Sequence, residues 1–248
     1  MTRISVELVP RDVEVLKEEV KTIKEKLNDV DFINIPDLLS CDTRSWDGAN
    51  IAKAYFDDVV PHLRAMDFDF TKELPIKDKL REYNIKEVLV IEGDPPQSML
   101  YQVYPTISTD IIKKFSEEMP EITVYAGIDQ YRSSMKEEEY RIHRKQLAGA
   151  KGFFTQPFFD MRYLEMYADL LDGLDIYWGV SPVLSERSVS YWRNKNNVIF
   201  PKDFEPTLEW NIEFARKVID FARKHNHNVY LMPIKAKIMP YLEGVFAK

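Results

Sequence analysis

The chain has 248 residues, of which 45% are hydrophobic and 30% are charged, and its formal net charge is −7. This length and composition predict one globular domain over residues 1–248. The negative charge, with no long Lys/Arg run to offset it, argues against nucleic-acid binding. The single cysteine, Cys41, excludes an internal disulfide. Because the sequence has neither a signal-peptide pattern nor a long apolar run, we expect a cytoplasmic protein that does not enter a membrane.

The hydrophobic pattern alternates between strand-like and helix-like segments along the chain. In the first part it predicts strands at residues 4–10, 32–35, 59–66 and 87–91, and helices at 13–27, 49–58 and 70–83. In the second part it predicts strands at residues 122–128, 153–159, 175–183 and 229–234, and helices at 108–119, 134–150, 163–171, 185–194 and 207–224. A short helix is predicted after the last strand.

Strands that alternate with helices at intervals of about 25 to 35 residues are typical of a parallel sheet with crossover helices. Eight such units in 248 residues match the size of an α/β protein with a (β/α)8 TIM barrel. An open, doubly wound sheet is the alternative, but no Gly-x-Gly-x-x-Gly loop follows any predicted strand. We therefore predict the barrel.

The run GFFTQPFFD at residues 152–160 is the most unusual segment. Its apolar residues predict a buried strand, and Gln156 interrupts them with an amide that must find partners or cost about 1–3 kcal/mol. Pro157 removes a backbone donor, which suits the end of a strand. In parallel barrels ligands bind at that end of the strands. Gln156 is therefore a candidate ligand-binding residue.

Four other polar residues lie at or near the ends of predicted strands: Glu7, His62, Asp94 and Lys235. Each also has a plain structural explanation, as a solvent-facing residue, a core histidine, a turn former and a surface charge. Together with Gln156 they indicate a proton-transfer or heterocycle-binding site, because the chain lacks zinc-ligand spacing and a Gly-x-Ser-x-Gly nucleophile motif. A buried glutamate suits general acid catalysis. An amide can pair with the edge of a pterin-like ring.

Several segments resemble the methylenetetrahydrofolate reductase family, whose members are flavin-dependent (β/α)8 barrels. The most specific is FTQPFFD at residues 154–160, which follows AGA at 148–150. The other similar segments are ISVELVPR at 4–11, VPHLR at 60–64, GDPP at 93–96, GVSPV at 179–183 and VIFP at 198–201. The chain differs from the family at Glu92, where the family often has an arginine, and in its loops at 36–38, 126–132 and 201–207.

The resemblance implies a role for each candidate residue. Glu7 is expected to protonate N10 of 5,10-methylenetetrahydrofolate, and Asp94 to lie between flavin and pterin as a second catalytic and substrate-binding residue. Gln156 and Lys235 are expected to contact the folate. The expected flavin contacts are His62, Tyr104, Arg144 and Lys145. FAD is the implied cofactor, with NAD(P)H or another donor as the electron source. Arg144 and Lys145 are also cations that suit a diphosphate.

Three functions follow from these observations. The first is reduction of a methylene-tetrahydropterin by FAD-bound protein, which predicts a yellow protein. The second retains the folate and omits the flavin, as direct nicotinamide transfer or as methyl transfer with a partner. The third is a non-catalytic accessory subunit, for which Glu7→Gln changes no activity. The sequence leaves open a homo-oligomer or an electron-donating protein partner.

Overall fold

The computed structural model describes residues 2–96, 98, 101–234 and 237–247. Eight parallel strands form a closed barrel in which each strand pairs with the next and the last pairs with the first. The strands are β1 (Ile4–Glu7), β2 (Phe32–Ile35), β3 (Val59–Arg64), β4 (Glu87–Ile91), β5 (Thr123–Ile128), β6 (Gly152–Pro157), β7 (Ile176–Val180) and β8 (Asn228–Leu231). The predicted (β/α)8 barrel is therefore confirmed.

Helices lie on the outside of the barrel, between successive strands and after the last one. They are α1 (Val13–Lys26), α2 (Ser45–Ala52), α3 (Lys77–Glu82), α4 (Ser108–Glu118), α5 (Met135–Ala148), α6 (Met161–Leu170), α7 (Glu186–Lys195), α8 (Leu208–His225) and α9 (Ile238–Phe246). A 3-10 helix, Ala65–Asp67, follows β3. Within the described ranges, no helix is long and apolar enough to cross a membrane.

Helix α1 shows how the sequence pattern produces an outer helix. The side chain of Asp12 accepts hydrogen bonds from the backbone N–H groups of residues 14 and 15, which caps the N-terminus. Leu16, Val20 and Ile23 are buried on one face, as expected for an amphipathic helix. Their burial against the barrel is the main stabilising contribution that this spacing makes.

Two predicted helices differ from the structure. In residues 70–83 only α3 is helical, because the carboxylate of Asp69 accepts hydrogen bonds from the Thr71 backbone and hydroxyl, and Pro75 disfavours helical geometry in the residue before it. In residues 49–58 the helix is shifted, since α2 starts at Ser45. The Ser45 N–H donates to the side chain of Asp37 at 3.3 Å, a contact made possible by the β2–α2 loop.

The N-terminal end of the barrel is closed by Arg3. Its guanidinium lies 3.2 Å from the carboxylate of Asp58 and 3.3 Å from that of Glu87. It also donates to the hydroxyls of Tyr125 and Tyr177 at 3.4 and 3.1 Å. The aromatic rings of these tyrosines belong to the apolar cluster that fills the barrel interior. A ligand therefore has its access at the opposite, C-terminal end, which we call the mouth.

Candidate functional site

Polar side chains point into the barrel where β1, β2 and β3 end at the mouth. Asn34 and His62 stand two residues after Phe32 and Val60, whose side chains belong to the interior cluster. Since strand side chains alternate between the two faces, Asn34 and His62 also face inwards. Glu7 is the register partner of Asn34 on β1. The folding of three neighbouring strands thus brings a carboxyl, an amide and an imidazole to one side of the mouth.

Glu7 is 7% exposed, and its carboxylate accepts a hydrogen bond from the hydroxyl of Tyr230 on β8. Burial raises the pKa of Glu7 from 4.5 to about 7, although the Tyr230 hydrogen bond and the charge of Arg11 oppose the increase. Burial raises the pKa of Tyr230 well above its ordinary value, so the phenol remains protonated. Glu7 can therefore hold or release a proton near neutral pH, which is the property that a general acid requires.

His62 and Asn34 are buried polar residues with unused hydrogen-bonding atoms. Burial lowers the pKa of His62 to about 3, so its imidazole is neutral. Within the described ranges, His62 Nε2 and both side-chain atoms of Asn34 have no hydrogen-bond partner. Each such group costs about 1–3 kcal/mol when it is left without water or a partner. Polar atoms held in this way beside Glu7 are suited to contact a polar ligand.

We expect Asn34→Leu to raise the free energy of unfolding by about 1 kcal/mol or more, because the substitution removes an amide whose burial is not compensated. Asn228→Leu is the matched control. Its side chain is also buried in the barrel, but it donates to Asp175 at 2.6 Å and accepts from the Arg3 N–H at 2.9 Å. Asn228→Leu should therefore be destabilising. Urea unfolding of both variants measures the two changes, and a destabilised Asn34→Leu would contradict the assignment of an unpaired amide.

A cavity of about 490 Å³ opens on the other side of the mouth, beside β3 to β6. Its volume is in the range of small-molecule sites. Gln156, Asp94, Arg144 and Lys145 all line it, so the structure brings four of the predicted site residues together. Asp94 is exposed, at the edge of the cavity.

The position of Gln156 depends on an irregularity in β6. The pairing of β6 with β7 shifts by one residue between Phe154 and Pro157, which is the signature of a β-bulge. The N–H of Gly179 donates to Thr155 Oγ1 at 2.8 Å, and Gln130 Nε2 donates to the carbonyl oxygen of Gln156 at 2.7 Å. These bonds satisfy the backbone at the bulge. The Gln156 side chain, which was expected to be buried with its apolar neighbours, is exposed at the cavity because of this bulge.

Basic and acidic side chains line the cavity together, on α5 and just after β4. Lys145 donates to the carbonyl oxygen of Gly127 at 2.6 Å, and burial lowers its pKa while Glu138 and Glu92 act in the opposite direction. Arg141 lies 3.6 Å from Glu138. Glu92 accepts hydrogen bonds from the N–H and hydroxyl of residue 108, at the start of α4. Part of the acidic charge is therefore already compensated by neighbouring donors.

Ion pairs connect the loops at the mouth. Arg44 contacts Asp37 at 2.5 Å and Asp67 at 2.8 Å. Arg64 lies 3.4 Å from Asp67 and donates to the carbonyl oxygen of Asp94 at 2.7 Å. These contacts form a continuous series from the loop after β2 to the loop that carries Asp94, whose backbone is held by Arg64.

Tyr104 and His62, two of the four predicted flavin contacts, do not line the cavity that the other two line. Tyr104 lines a second, more open cavity of about 360 Å³ with Arg44 and Asp67, and its N–H donates to the carbonyl oxygen of Met66 at 2.8 Å. Tyr104 thus lies apart from Arg144 and Lys145, because the loop before α4 is hydrogen-bonded to the segment that follows β3. Its role as a flavin contact stays a prediction. Lys235 lies outside the described residues.

His62 lies on the buried side of the mouth, on the strand that also carries Arg64. It stands two residues before Arg64, which lines the cavity, and its ring centroid is 6.2 Å from that of Tyr230. Glu7 and His62 themselves do not line the cavity as the described residues define it. The mouth therefore has a buried half with Glu7 and an open half with Gln156.

Sequence reasoning missed Asn34, Tyr230 and Arg64. Asn34 had the same signal as Gln156, an amide within an apolar strand, and could have been found by it. Tyr230 gave no such signal, since an aromatic residue in a strand is usually a core residue. In the described part of the chain, no group of three or more His, Cys, Asp or Glu side chains is placed to hold a metal ion.

The fold and site define a (β/α)8-barrel protein with a polar mouth. No protein-family model and no curated protein match the chain. Among solved structures, it is similar to an uncharacterized protein from Clostridium thermocellum that binds two copies of 5-methyl-5,6,7,8-tetrahydrofolic acid, with 13% identity, a TM-score of 0.62 and coverage of 98% of this chain and 92% of the other.

Two further similar structures have different activities. Oxaloacetate acetylhydrolase matches with 9% identity and a TM-score of 0.61, covering 97% of this chain and 78% of the other. 2,3-Dimethylmalate lyase, of the PEP mutase/isocitrate lyase superfamily, matches with 11% identity and a TM-score of 0.54, covering 97% and 86%. At these identities the similarity shows the barrel fold alone. Membership of the methylenetetrahydrofolate reductase family stays a prediction.

Proposed function

We propose that the protein binds a tetrahydrofolate-type pterin at the mouth and reduces its 5,10-methylene form to the 5-methyl form, with Glu7 as the general acid. The observation that carries this proposal is the buried Glu7 carboxyl, whose pKa is about 7, at the mouth of a barrel whose cavity contains Gln156. A similar barrel binds a methylated tetrahydrofolate, which supports the ligand class.

The chemistry follows from the side chains. Gln156 has a donor and an acceptor and can pair with the amide-like edge of a pterin. Protonated Glu7 transfers its proton to N10, the bond between N10 and the methylene carbon breaks, and Glu7 becomes a carboxylate. The methylene carbon, now bonded to N5 as an iminium, accepts a hydride and becomes the methyl group. Burial of Glu7, which is 7% exposed, keeps water away from this proton.

FAD remains part of the proposal. Its diphosphate would be held by Arg144 and Lys145 on α5, which matches the preference of phosphate for cationic donors. Glu92, which follows β4 and lines the same cavity, already accepts hydrogen bonds from residue 108. When bound, the reduced flavin supplies the hydride. NAD(P)H or a protein donor would reduce it between turnovers.

The test is a calorimetric titration of the purified protein with 5-methyltetrahydrofolate, together with its visible spectrum. We expect binding, and a 10- to 100-fold weaker affinity for Gln156→Ala, roughly the loss of one or two hydrogen bonds. Gln146→Ala, on the exposed surface of α5, is the control and should bind normally.

The outcomes separate the alternatives. Folate binding by a yellow protein supports the flavin-dependent reductase. Folate binding by a colourless protein that does not take up FAD supports direct nicotinamide transfer or methyl transfer with a partner. A protein that binds neither would contradict the proposal and favour an accessory role.

A further inference from the structure

Tyr230 contacts Glu7 from the strand on its other side. Its hydroxyl donates to Glu7 Oε2, and both residues are buried. The Tyr230 ring is held edge-on against Phe154, with centroids 5.2 Å apart, and against His62 at 6.2 Å. Because the ring is fixed by these contacts, the hydroxyl is directed at one carboxyl oxygen of Glu7.

We propose that Tyr230 is a positioning residue for Glu7, an inference that rests on the proposed function. By occupying Oε2, Tyr230 leaves Oε1 as the oxygen that carries the transferable proton. When that proton moves to the substrate nitrogen, the hydrogen bond from Tyr230 stabilises the carboxylate that remains. Tyr230 keeps its own proton throughout, so the step transfers one proton from Glu7 and no other.

Few other groups around Glu7 could stabilise its ionised carboxylate. Arg11, from the segment after β1, lowers the pKa of Glu7 by its charge, and its influence is smaller than that of the Tyr230 hydrogen bond. From β2, Asn34 has no charge. From β3, burial keeps His62 neutral, with a pKa of about 3. The Tyr230 hydroxyl is therefore the main group that favours ionised Glu7.

The experiment measures the titration of Glu7 directly, in full-length protein labelled with 13C at the glutamate carboxyl carbons. Loss of one NMR signal in Glu7→Gln assigns the resonance. We expect Tyr230→Phe to move the Glu7 midpoint upwards by about one to two pH units, because a hydrogen bond to a charged group is lost. An unchanged midpoint would overturn the proposal.

Tyr177→Phe is the matched control. Tyr177 is also buried in the barrel, but its hydroxyl contacts Arg3 at the closed end, so the Glu7 midpoint should stay at the wild-type value. If Tyr230→Phe does not fold, 3-fluorotyrosine at position 230 replaces it. This analogue retains the shape of the ring and is a stronger donor, so it should lower the midpoint; no change would again overturn the proposal.

The titration needs no folate, so its result is independent of the proposed reaction. If the protein reduces methylenetetrahydrofolate, the pH at which activity declines should rise in Tyr230→Phe in parallel with the Glu7 midpoint. A purely structural role for Tyr230 would lower activity at every pH and leave both midpoints in place.

Discussion

Glu7→Gln is expected to slow the reduction of 5,10-methylenetetrahydrofolate by about 10²- to 10⁴-fold, the usual contribution of a positioned general acid. Glutamine has nearly the same shape but cannot deliver a proton to N10. Folate binding should be retained, because Gln156 at the cavity is unchanged. Single-turnover reduction measures the chemical step, and calorimetry measures the binding.

Glu19→Gln is the control for this substitution. Burial also raises the pKa of Glu19, but Glu19 lies on α1, outside the barrel. The variant should therefore reduce 5,10-methylenetetrahydrofolate at the wild-type rate. A Glu7→Gln protein that reduces the substrate within a few-fold of the wild-type rate would show that another group supplies the proton.

The same residue determines the expected pH dependence. As the proposed general acid, Glu7 would act when protonated, so activity should decline as pH rises through about 7. For stability, a folded pKa raised from 4.5 to about 7 means that the unfolded chain loses this proton first. The contribution of protonated Glu7 to the free energy of unfolding is thus fully present below the unfolded pKa. It is lost, by about 3 kcal/mol in all, as pH rises from there through the pKa of Glu7 in the folded protein. Glu7→Gln should remove this decline.

Gly179→Ala is expected to destabilise the protein by about 3 kcal/mol. An added Cβ would lie 2.5 Å from the carbonyl oxygen of Thr155 and 2.8 Å from that of Gln156. Both contacts are with backbone, which cannot rotate away as a side chain can. The bulge in β6 would have to move, and with it Gln156. Denaturant unfolding measures the loss of stability, and folate titration measures the displacement of the amide.

Gly127→Ala is the matched control on another barrel strand. The nearest atom to its added Cβ would be a side-chain carbon of Ile91 at 3.5 Å, an ordinary van der Waals contact. We expect stability within about 0.5 kcal/mol of the wild type, as for substitutions without a specific conflict. Equal effects of the two substitutions would contradict the close-packed bulge.

The fold was predictable because each strand–helix unit has its own hydrophobic pattern. The site residues Glu7 and Gln156 were predictable because they interrupt that pattern at strand ends. The Glu7–Tyr230 contact joins residues 223 positions apart. It exists only because β8 pairs with β1, and no local pattern encodes it. The path of the loop before α4, which places Tyr104 in the second cavity, likewise depends on hydrogen bonds to the segment after β3 and not on periodicity.

The two ends of the barrel differ in how much their polar residues contribute to the stability of the fold. At the closed end, Arg3 has hydrogen-bonding and charged partners on several strands, and changes there would mainly affect folding. At the mouth, Asn34 and His62 hold polar atoms that the fold does not need. Residues of this kind can be exchanged with little loss of stability, so a new ligand specificity can be acquired at the mouth while the base preserves the barrel.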